Sequence, residues 1–198
     1  MPALKPQTRF LLRGSALLVG LLALWWFVLL GPMLSVLKDA AGGFLLIAEN
    51  PDGNWTVRVP LEHTLAATPE RPAQQIHSVD FDIRRSDVVS FTFSLPVFWA
   101  IILAAPGVRR CLWPLLLGTG LMCAVELVLL VIFAHITARN AVSQLEGAPD
   151  AAGKWARHVG EYLIISVLPF VVPLVVALSI HRELRGQVLS AGIANKQA

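Results

Sequence analysis

The feature that most constrains this sequence is the separation of charged from apolar residues along the chain. Residues 14–37 and 88–108 carry no charged side chain, and the apolar run 111–137 holds only Glu126 and His135 as ionisable groups. Residues 162–180 form a fourth apolar run. Because about 20 apolar residues suffice for a helix to cross a bilayer, the pattern predicts a multi-pass membrane protein with four transmembrane helices.

Composition supports this class of protein and argues against a soluble one. Hydrophobic residues make up 56% of the 198 residues and charged residues 15%, against about 25% charged residues in soluble domains. The net charge of +3 does not indicate a nucleic-acid partner, because the basic residues are scattered or flank the apolar runs. The lipid bilayer is therefore the first predicted partner.

The first apolar run has two interpretations. A basic start with Lys5, Arg9 and Arg13 followed by an apolar stretch fits a cleaved signal peptide. The run is longer than a usual signal core, however, and no clear cleavage site follows it before Lys38. We expect an uncleaved first span, with Trp25, Trp26 and Phe27 suited to lipid or to a partner helix.

The polar segment 38–87 predicts a small β-rich domain. Residues 50–54 are a strong turn signal, and residues 55–59 and 79–84 alternate apolar and polar side chains as strands do. Residues 67–75 are expected to form a loop, and Phe91 and Phe93 continue the alternation as a third strand. Such a domain is too small to be very stable alone, so we expect it to lean on the spans or on a partner.

The second half of the chain predicts three more spans. Residues 88–138 are predicted to form a helical hairpin that turns at Arg109 and Arg110. Residues 139–161 are predicted to form a polar loop, with a turn at 147–150. The fourth span, 162–180, contains Pro169 and Pro173, which should kink or loosen the helix.

Basic residues then predict the orientation. Segments 1–13, 109–110 and 181–198 hold eight Lys or Arg and one acid, whereas segments 38–87 and 139–161 together hold eight Lys or Arg and eleven acids in more than twice the length. Both termini should therefore be cytoplasmic and both polar segments outside. The predicted organisation is five segments: 1–37, 38–87, 88–138, 139–161 and 162–198.

Glu126 is the first candidate for function because an ionisable side chain inside a span is costly. It shares a helix face with Thr119 and Cys123, which should point into the bundle, whereas His135 lies nine residues on and faces the opposite way. The face could form a proton or substrate site. The simpler interpretation, which we prefer, is a neutralised or hydrogen-bonded group that joins helices.

A second group lies at the predicted outer surface. His158 and Glu161 are three residues apart, and His135 from the neighbouring span could join them as metal ligands. The alternative is an ordinary ion pair between Arg157 and Glu161, and this is the preferred interpretation. We therefore predict no metal, no cofactor and no catalytic residues. The charged run from Asp80 to Asp87 is expected to be a solvated strand face rather than a peptide-binding site.

One stretch resembles a known family. Residues 91–96, Phe-Thr-Phe-Ser-Leu-Pro, run into Ala-Ala-Pro-Gly at 104–107, and this order after one span and a β-rich domain looks like the membrane proteins that accompany bacterial exosortases of the H type. The resemblance implies an inner-membrane accessory protein of a system that processes and sorts exported proteins bearing a C-terminal membrane anchor. The Cys, Arg and His set of the exosortases themselves is not reproduced around Cys123.

Three hypotheses about function follow. The first is a non-catalytic accessory protein that contacts a membrane enzyme or its substrate. The second is a small proton-coupled transporter that uses Glu126, and the third is a metal-dependent membrane hydrolase that uses His135, His158 and Glu161.

Overall fold

The computed structural model describes residues 6–65, 67, 72–105, 112–147, 151–181 and 184–186, and it is mostly helical. Four helical stretches are long and apolar enough to cross a membrane. They are Phe10–Ala41, Arg85–Ala104, Leu112–Leu145 and Gly153–Ile180. The predicted number of apolar helices is thus confirmed.

Seven α-helices and two short π-helical segments build these stretches in the described residues. Their bounds are α1 Pro6–Leu24, α2 Leu30–Ala41, α3 Arg85–Thr92, α4 Ser94–Ala104, α5 Leu112–Leu145, α6 Ala151–Tyr162 and α7 Leu168–Ile180, with π-helical turns at Trp25–Leu29 and Leu163–Val167.

The helices extend further than the apolar runs predict. Helix α5 continues through polar residues to Leu145, and α6 begins at Ala151, so most of the predicted loop 139–161 is helical. Polar residues with good helix propensity, such as Arg139 and Gln144, lengthen a helix without making it apolar. The expected turn at Arg109–Arg110 and residues 148–150 of the expected break lie outside the described residues. So do residues 1–5, 182–183 and 187–198 of the terminal segments.

A three-stranded antiparallel sheet in the order β1-β2-β3 contains the two predicted strands. Strand β1 is Leu46–Glu49, β2 is Trp55–Leu65 and β3 is Gln74–Ile83. Trp55, Val57 and Val59 of β2 are buried and alternate with exposed residues, as one buried sheet face requires. The predicted third strand at Phe91 and Phe93 is wrong, because Phe91 lies in α3 and Phe93 comes between α3 and α4.

The predicted turn at residues 50–54 joins β1 to β2. Gly53 has φ +77°, a conformation that glycine adopts readily, and its N–H donates to the carbonyl of Asn50 at 2.9 Å. The side chain of Asn54 accepts a hydrogen bond from the backbone N–H of Arg85 at 2.9 Å. Because this bond satisfies one of the free N–H groups at the start of α3, the turn also fixes where that helix begins.

The fourth apolar stretch widens just before its first proline. Residues Leu163–Val167 are π-helical, and the N–H of Leu168 donates to the carbonyl of Leu163, five residues earlier. Pro169 lacks an N–H and its ring crowds the carbonyl of the residue four positions before it. The loosening predicted for this helix is therefore present, and Pro173 lies inside α7 without ending it.

The chain divides into two compact units. The first unit comprises Met1–Pro32, Thr92–Val125 and Pro169–Ala198, and the second comprises Met33–Phe91 and Glu126–Leu168. In the first unit, Phe93 contacts Trp25 edge-on at 5.9 Å between ring centroids and Phe170 at 5.6 Å. Trp25 is buried, whereas Trp26 and Phe27 are exposed.

The hydrophobic core of the second unit joins the sheet to helices. Trp55, Val57, Val59 and Ile83 from the sheet share one cluster with residues of α2, α3, α5 and the segment after α6. The helical members are Leu37, Ala41, Val88, Phe91, Leu130, Phe133, Ala134, Ala138 and Ile164. The sheet thus packs against helices, as its small size predicts, because three short strands alone bury too little apolar surface to be stable.

Candidate functional site

Thr119 lies in the first unit, where its hydroxyl group has partners on both sides. The indole N–H of Trp99 in α4 donates to Thr119 Oγ1 at 2.9 Å, and Thr119 Oγ1 donates to the carbonyl of Leu115 at 2.7 Å. A Cβ placed on neighbouring Gly118 would lie 2.0 Å from Cζ of Phe98. Thr119 therefore joins two closely packed helices, α4 and α5.

Cys123 does not follow the predicted pattern. Its side chain is exposed, whereas that of the adjacent Met122 is fully buried. The expectation that Cys123 points into the bundle is therefore wrong, because the buried face of this part of α5 passes through Met122.

Glu126, in the second unit, is buried with 3% of its surface exposed. It has an interaction partner within the protein, which is what a carboxyl group inside a span requires. The structure agrees with the predicted burial of this side chain, and its role in transport or packing stays a prediction.

Of the three residues of the candidate outer site, His158 and Glu161 lie close together, whereas His135 bonds to its own helix. His135 Nδ1 donates to the carbonyl of Val131 in its own helix at 2.9 Å. Glu161 accepts a hydrogen bond from the amide of Asn140 at 2.6 Å, and His158 lies 3.8 Å from its other oxygen. Among the described residues, no group of three His, Cys, Asp or Glu side chains is arranged to hold a metal ion.

The predicted ion pair between Arg157 and Glu161 is also wrong. The carboxylate of Glu161 contacts Asn140 and His158 instead, and no ion pair joins Arg157 to a carboxylate of the residues that the structure describes. Asn140 reaches Glu161 from the facing helix, a contact that spacing within one helix could not predict.

His158 and Glu161 line a cleft of about 480 Å³ beside the end of α5 and the start of α6. The other lining residues are Thr137, Asn140, Ala141, Ser143, Gln144, Lys154 and Arg157. Sequence reasoning missed this cleft, although one signal was present. Lys154, Arg157, His158 and Glu161 follow the spacing i, i+3, i+4, i+7, which places them on one helix face.

Thr137 in this cleft is unusual because its hydroxyl oxygen is buried and lacks a hydrogen-bond partner in the described part of the chain. Burying a hydroxyl group without a partner costs on the order of 1–3 kcal/mol in protein mutational data. Most threonines inside helices avoid this cost by bonding to the carbonyl four residues earlier, as Thr119 does.

The exposed face of the sheet carries paired charges. Both oxygens of Asp80 accept hydrogen bonds from the guanidinium of Arg58 across the strands, each at 2.7 Å. The hydrogen bonds that Arg58 donates lower the pKa of Asp80, and the same bonds, accepted by Asp80, raise the pKa of Arg58. Asp82 accepts from the hydroxyl of Thr56 at 2.6 Å. These contacts agree with the predicted solvated strand face.

Two further contacts tie the sheet to helical segments of the same unit. Lys38 in α2 lies 2.9 Å from Glu49 in β1, and His63 in β2 lies 2.5 Å from Glu146, just after α5. The sequence pattern gave no sign of either pair, because 11 residues separate the first and 83 the second.

These features define a multi-pass membrane protein with a small antiparallel sheet packed on helical segments. No curated protein matches the chain, and no solved structure matches it. A family model described as exosortase H-associated membrane protein matches residues 4–184. The chain belongs to this family, which confirms the resemblance noted from residues 91–107.

Proposed function

We propose that the protein is a non-catalytic accessory subunit of an exosortase-type system that processes and sorts exported proteins. The observation that carries this proposal is the match of residues 4–184 to a family described by its association with exosortase H. The partner is then an exosortase-like membrane enzyme or its substrate.

The proposed sidedness follows from the distribution of basic residues. Both termini are cytoplasmic in a bacterial inner membrane, and the sheet lies outside. Its core of Trp55, Val57 and Ile83 packs on helical segments, so that a partner outside the membrane would meet a surface held firmly to the spans. A reporter fused after Ala198 tests this arrangement, because activity of a periplasm-specific reporter there would contradict it.

Copurification is the direct test of the accessory function. The full chain is co-expressed with an exosortase of the H type, extracted in mild detergent and captured by a tag on the exosortase. We expect the two proteins to elute together in a fixed ratio, and an unrelated four-span protein expressed at the same level to be absent from the eluate. Failure of the two to copurify, with both proteins folded, would contradict the proposal.

One observation favours a second candidate, a proton-coupled transporter, namely the burial of Glu126 inside an apolar helix. Glu126→Gln keeps the size of the side chain and removes its titration. As an accessory protein, this variant should copurify with the exosortase to the same extent as the unchanged protein. The transporter is supported if the unchanged protein shows proton-coupled uptake into proteoliposomes and Glu126→Gln does not, while both proteins still bind the exosortase.

A further inference from the structure

The cleft in the second unit has a charge balance that suits an anion. Lys154 and Arg157 line it, and neither forms an ion pair with a carboxylate within the described residues. Glu161 is the carboxylate among the lining residues, and the amide of Asn140 already donates to one of its oxygens at 2.6 Å. Two cationic groups are therefore available to a ligand.

Thr137 provides a second and independent sign of a ligand. Its hydroxyl oxygen is buried, and no described residue supplies a hydrogen-bond partner for it. Buried polar groups in native proteins are nearly always paired, so this unpaired hydroxyl group in the wall of the cleft indicates an absent ligand or water. Rotation about χ1 would turn it from its buried position towards the cleft. Thr137 approaches from α5 and the two cations from α6.

The position of the cleft along the helices suggests where the anion comes from. Lys154 and Arg157 lie in the first turns of the candidate span Gly153–Ile180, where basic side chains meet the headgroups of a bilayer. On the same helix, Trp155 is 69% and Tyr162 63% exposed. They are seven residues apart and so share a face, the arrangement of aromatic residues that mark a membrane interface.

We propose that this cleft binds a phosphate group, and that its source is the headgroup of an anionic phospholipid. The guanidinium of Arg157 can donate two parallel hydrogen bonds to phosphate oxygens, and the ammonium of Lys154 adds a point charge. Rotation about χ1 of Thr137 would bring its hydroxyl group to the phosphate as a further donor from α5. A cleft of about 480 Å³ also has room for more than a single carboxylate, which is consistent with a headgroup.

The test measures the affinity of the full-length protein, purified in a neutral detergent, for three probes. These are phosphatidylglycerol, phosphatidylcholine and inorganic phosphate, and the readout is the rise in melting temperature as each is titrated. We expect saturable stabilisation by phosphatidylglycerol and none by phosphatidylcholine. Stabilisation by inorganic phosphate alone, lost in the variant below, would support the phosphate site and assign its source to free phosphate.

The deciding variant is Lys154→Gln combined with Arg157→Gln. We expect the apparent dissociation constant for phosphatidylglycerol to rise by at least about tenfold, since a hydrogen bond to a charged group accounts for about that factor. Arg84→Gln combined with Arg139→Gln is the matched control, because it removes two exposed arginines of the same unit that do not line the cleft. The control should bind as the unchanged protein does.

Thr137 offers a second test that keeps all charges. Thr137→Val should weaken binding about threefold to tenfold, and Thr137→Ser, which restores the hydroxyl group, should bind normally. The proposal is overturned if neither phosphate probe binds, if the arginine control loses as much affinity as the cleft variant, or if an acidic peptide binds and both phosphate probes do not.

Discussion

Two threonines on helix α5 have very different surroundings. Thr119 accepts a hydrogen bond from Trp99 and donates one to Leu115, next to a glycine that lies against the ring of Phe98. Thr137 lines an open cleft, and its buried hydroxyl group has no hydrogen-bond partner among the described residues. The difference teaches that polar side chains in one apolar helix need not serve one purpose, since Thr119 joins two helices and Thr137 does not.

The largest expected effect concerns the closed contact beside Thr119. Gly118→Ala would place a methyl group 2.0 Å from the present position of Phe98 Cζ. Either the ring or the helix must move, and such overpacking costs about 1–3 kcal/mol. The measurement is the midpoint of thermal unfolding in detergent, followed by tryptophan fluorescence.

Gly120→Ala is the matched control for this prediction. No atom lies within 4 Å of a Cβ placed on Gly120, and alanine favours a helix over glycine by up to about 1 kcal/mol. We expect this variant to be as stable as the unchanged protein or slightly more so. Equal melting temperatures for the two alanine variants would mean that α4 and α5 are not tightly packed at Gly118.

A somewhat smaller loss is expected when the hydroxyl group of Thr119 is removed. Thr119→Val leaves the indole N–H of Trp99 without its acceptor, which should cost about 1–2 kcal/mol. Replacing Trp99 by Phe in the same protein removes the orphaned donor, so the double variant should lose less than the two single variants added together. Additive losses would show that the 2.9 Å contact contributes no stability.

The sequence predicted the apolar helices and parts of two of the three strands, because both kinds of prediction rest on local patterns. Uncharged runs identify spans, and alternation identified Trp55–Leu65 and Gln74–Ile83 in part. Strand β1 was missed because Leu46, Ile47 and Ala48 are consecutive apolar residues without alternation. The end of the helix at Arg85–Thr92 was mistaken for a strand, because Phe91, Thr92 and Phe93 alternate apolar and polar side chains. The cap that starts this helix could not be foreseen, since it comes from Asn54, 31 residues away.

The candidate sites were harder to predict, because their partners come from distant parts of the chain. Spacing within a helix placed Arg157 near Glu161, yet the bond that forms is with Asn140, 21 residues before Glu161. Burial of Glu126 followed from the cost of a carboxyl group in lipid, whereas the exposure of Cys123 depends on which face packs. The unpartnered hydroxyl of Thr137 is a property of tertiary packing alone.

Thr137→Val provides the contrasting prediction to Thr119→Val. Because the hydroxyl group of Thr137 has no hydrogen-bond partner, replacing it with a methyl group removes no bond and ends the cost of burying it. We expect the free energy of unfolding to stay within about 0.5 kcal/mol or to rise, measured without added lipid or phosphate. A loss as large as that of Thr119→Val would show that Thr137 has a partner in the protein.

The smallest effect on stability is expected for the exposed ion pair of Arg58 and Asp80. Like Thr119, these side chains have a hydrogen-bond partner, but the surrounding water weakens their interaction. The hydrogen bond from Arg58 lowers the pKa of Asp80 in the folded state. The stabilisation is therefore complete above the ordinary pKa of 3.8 and is lost as the pH falls through the lowered value. The unchanged protein should lose slightly more stability than Asp80→Asn between about pH 6 and pH 3.

Arg58→Gln decides whether that difference arises from the ion pair. In this background, Asp80 no longer has its cation, so Asp80→Asn should leave the dependence of the melting temperature on acid pH nearly unchanged. If Asp80→Asn alters the acid dependence equally with and without Arg58, the pKa of Asp80 is set by other groups. The difference between Thr119 and the sheet face would then come from burial alone, and not from the strength of the contact that each group makes.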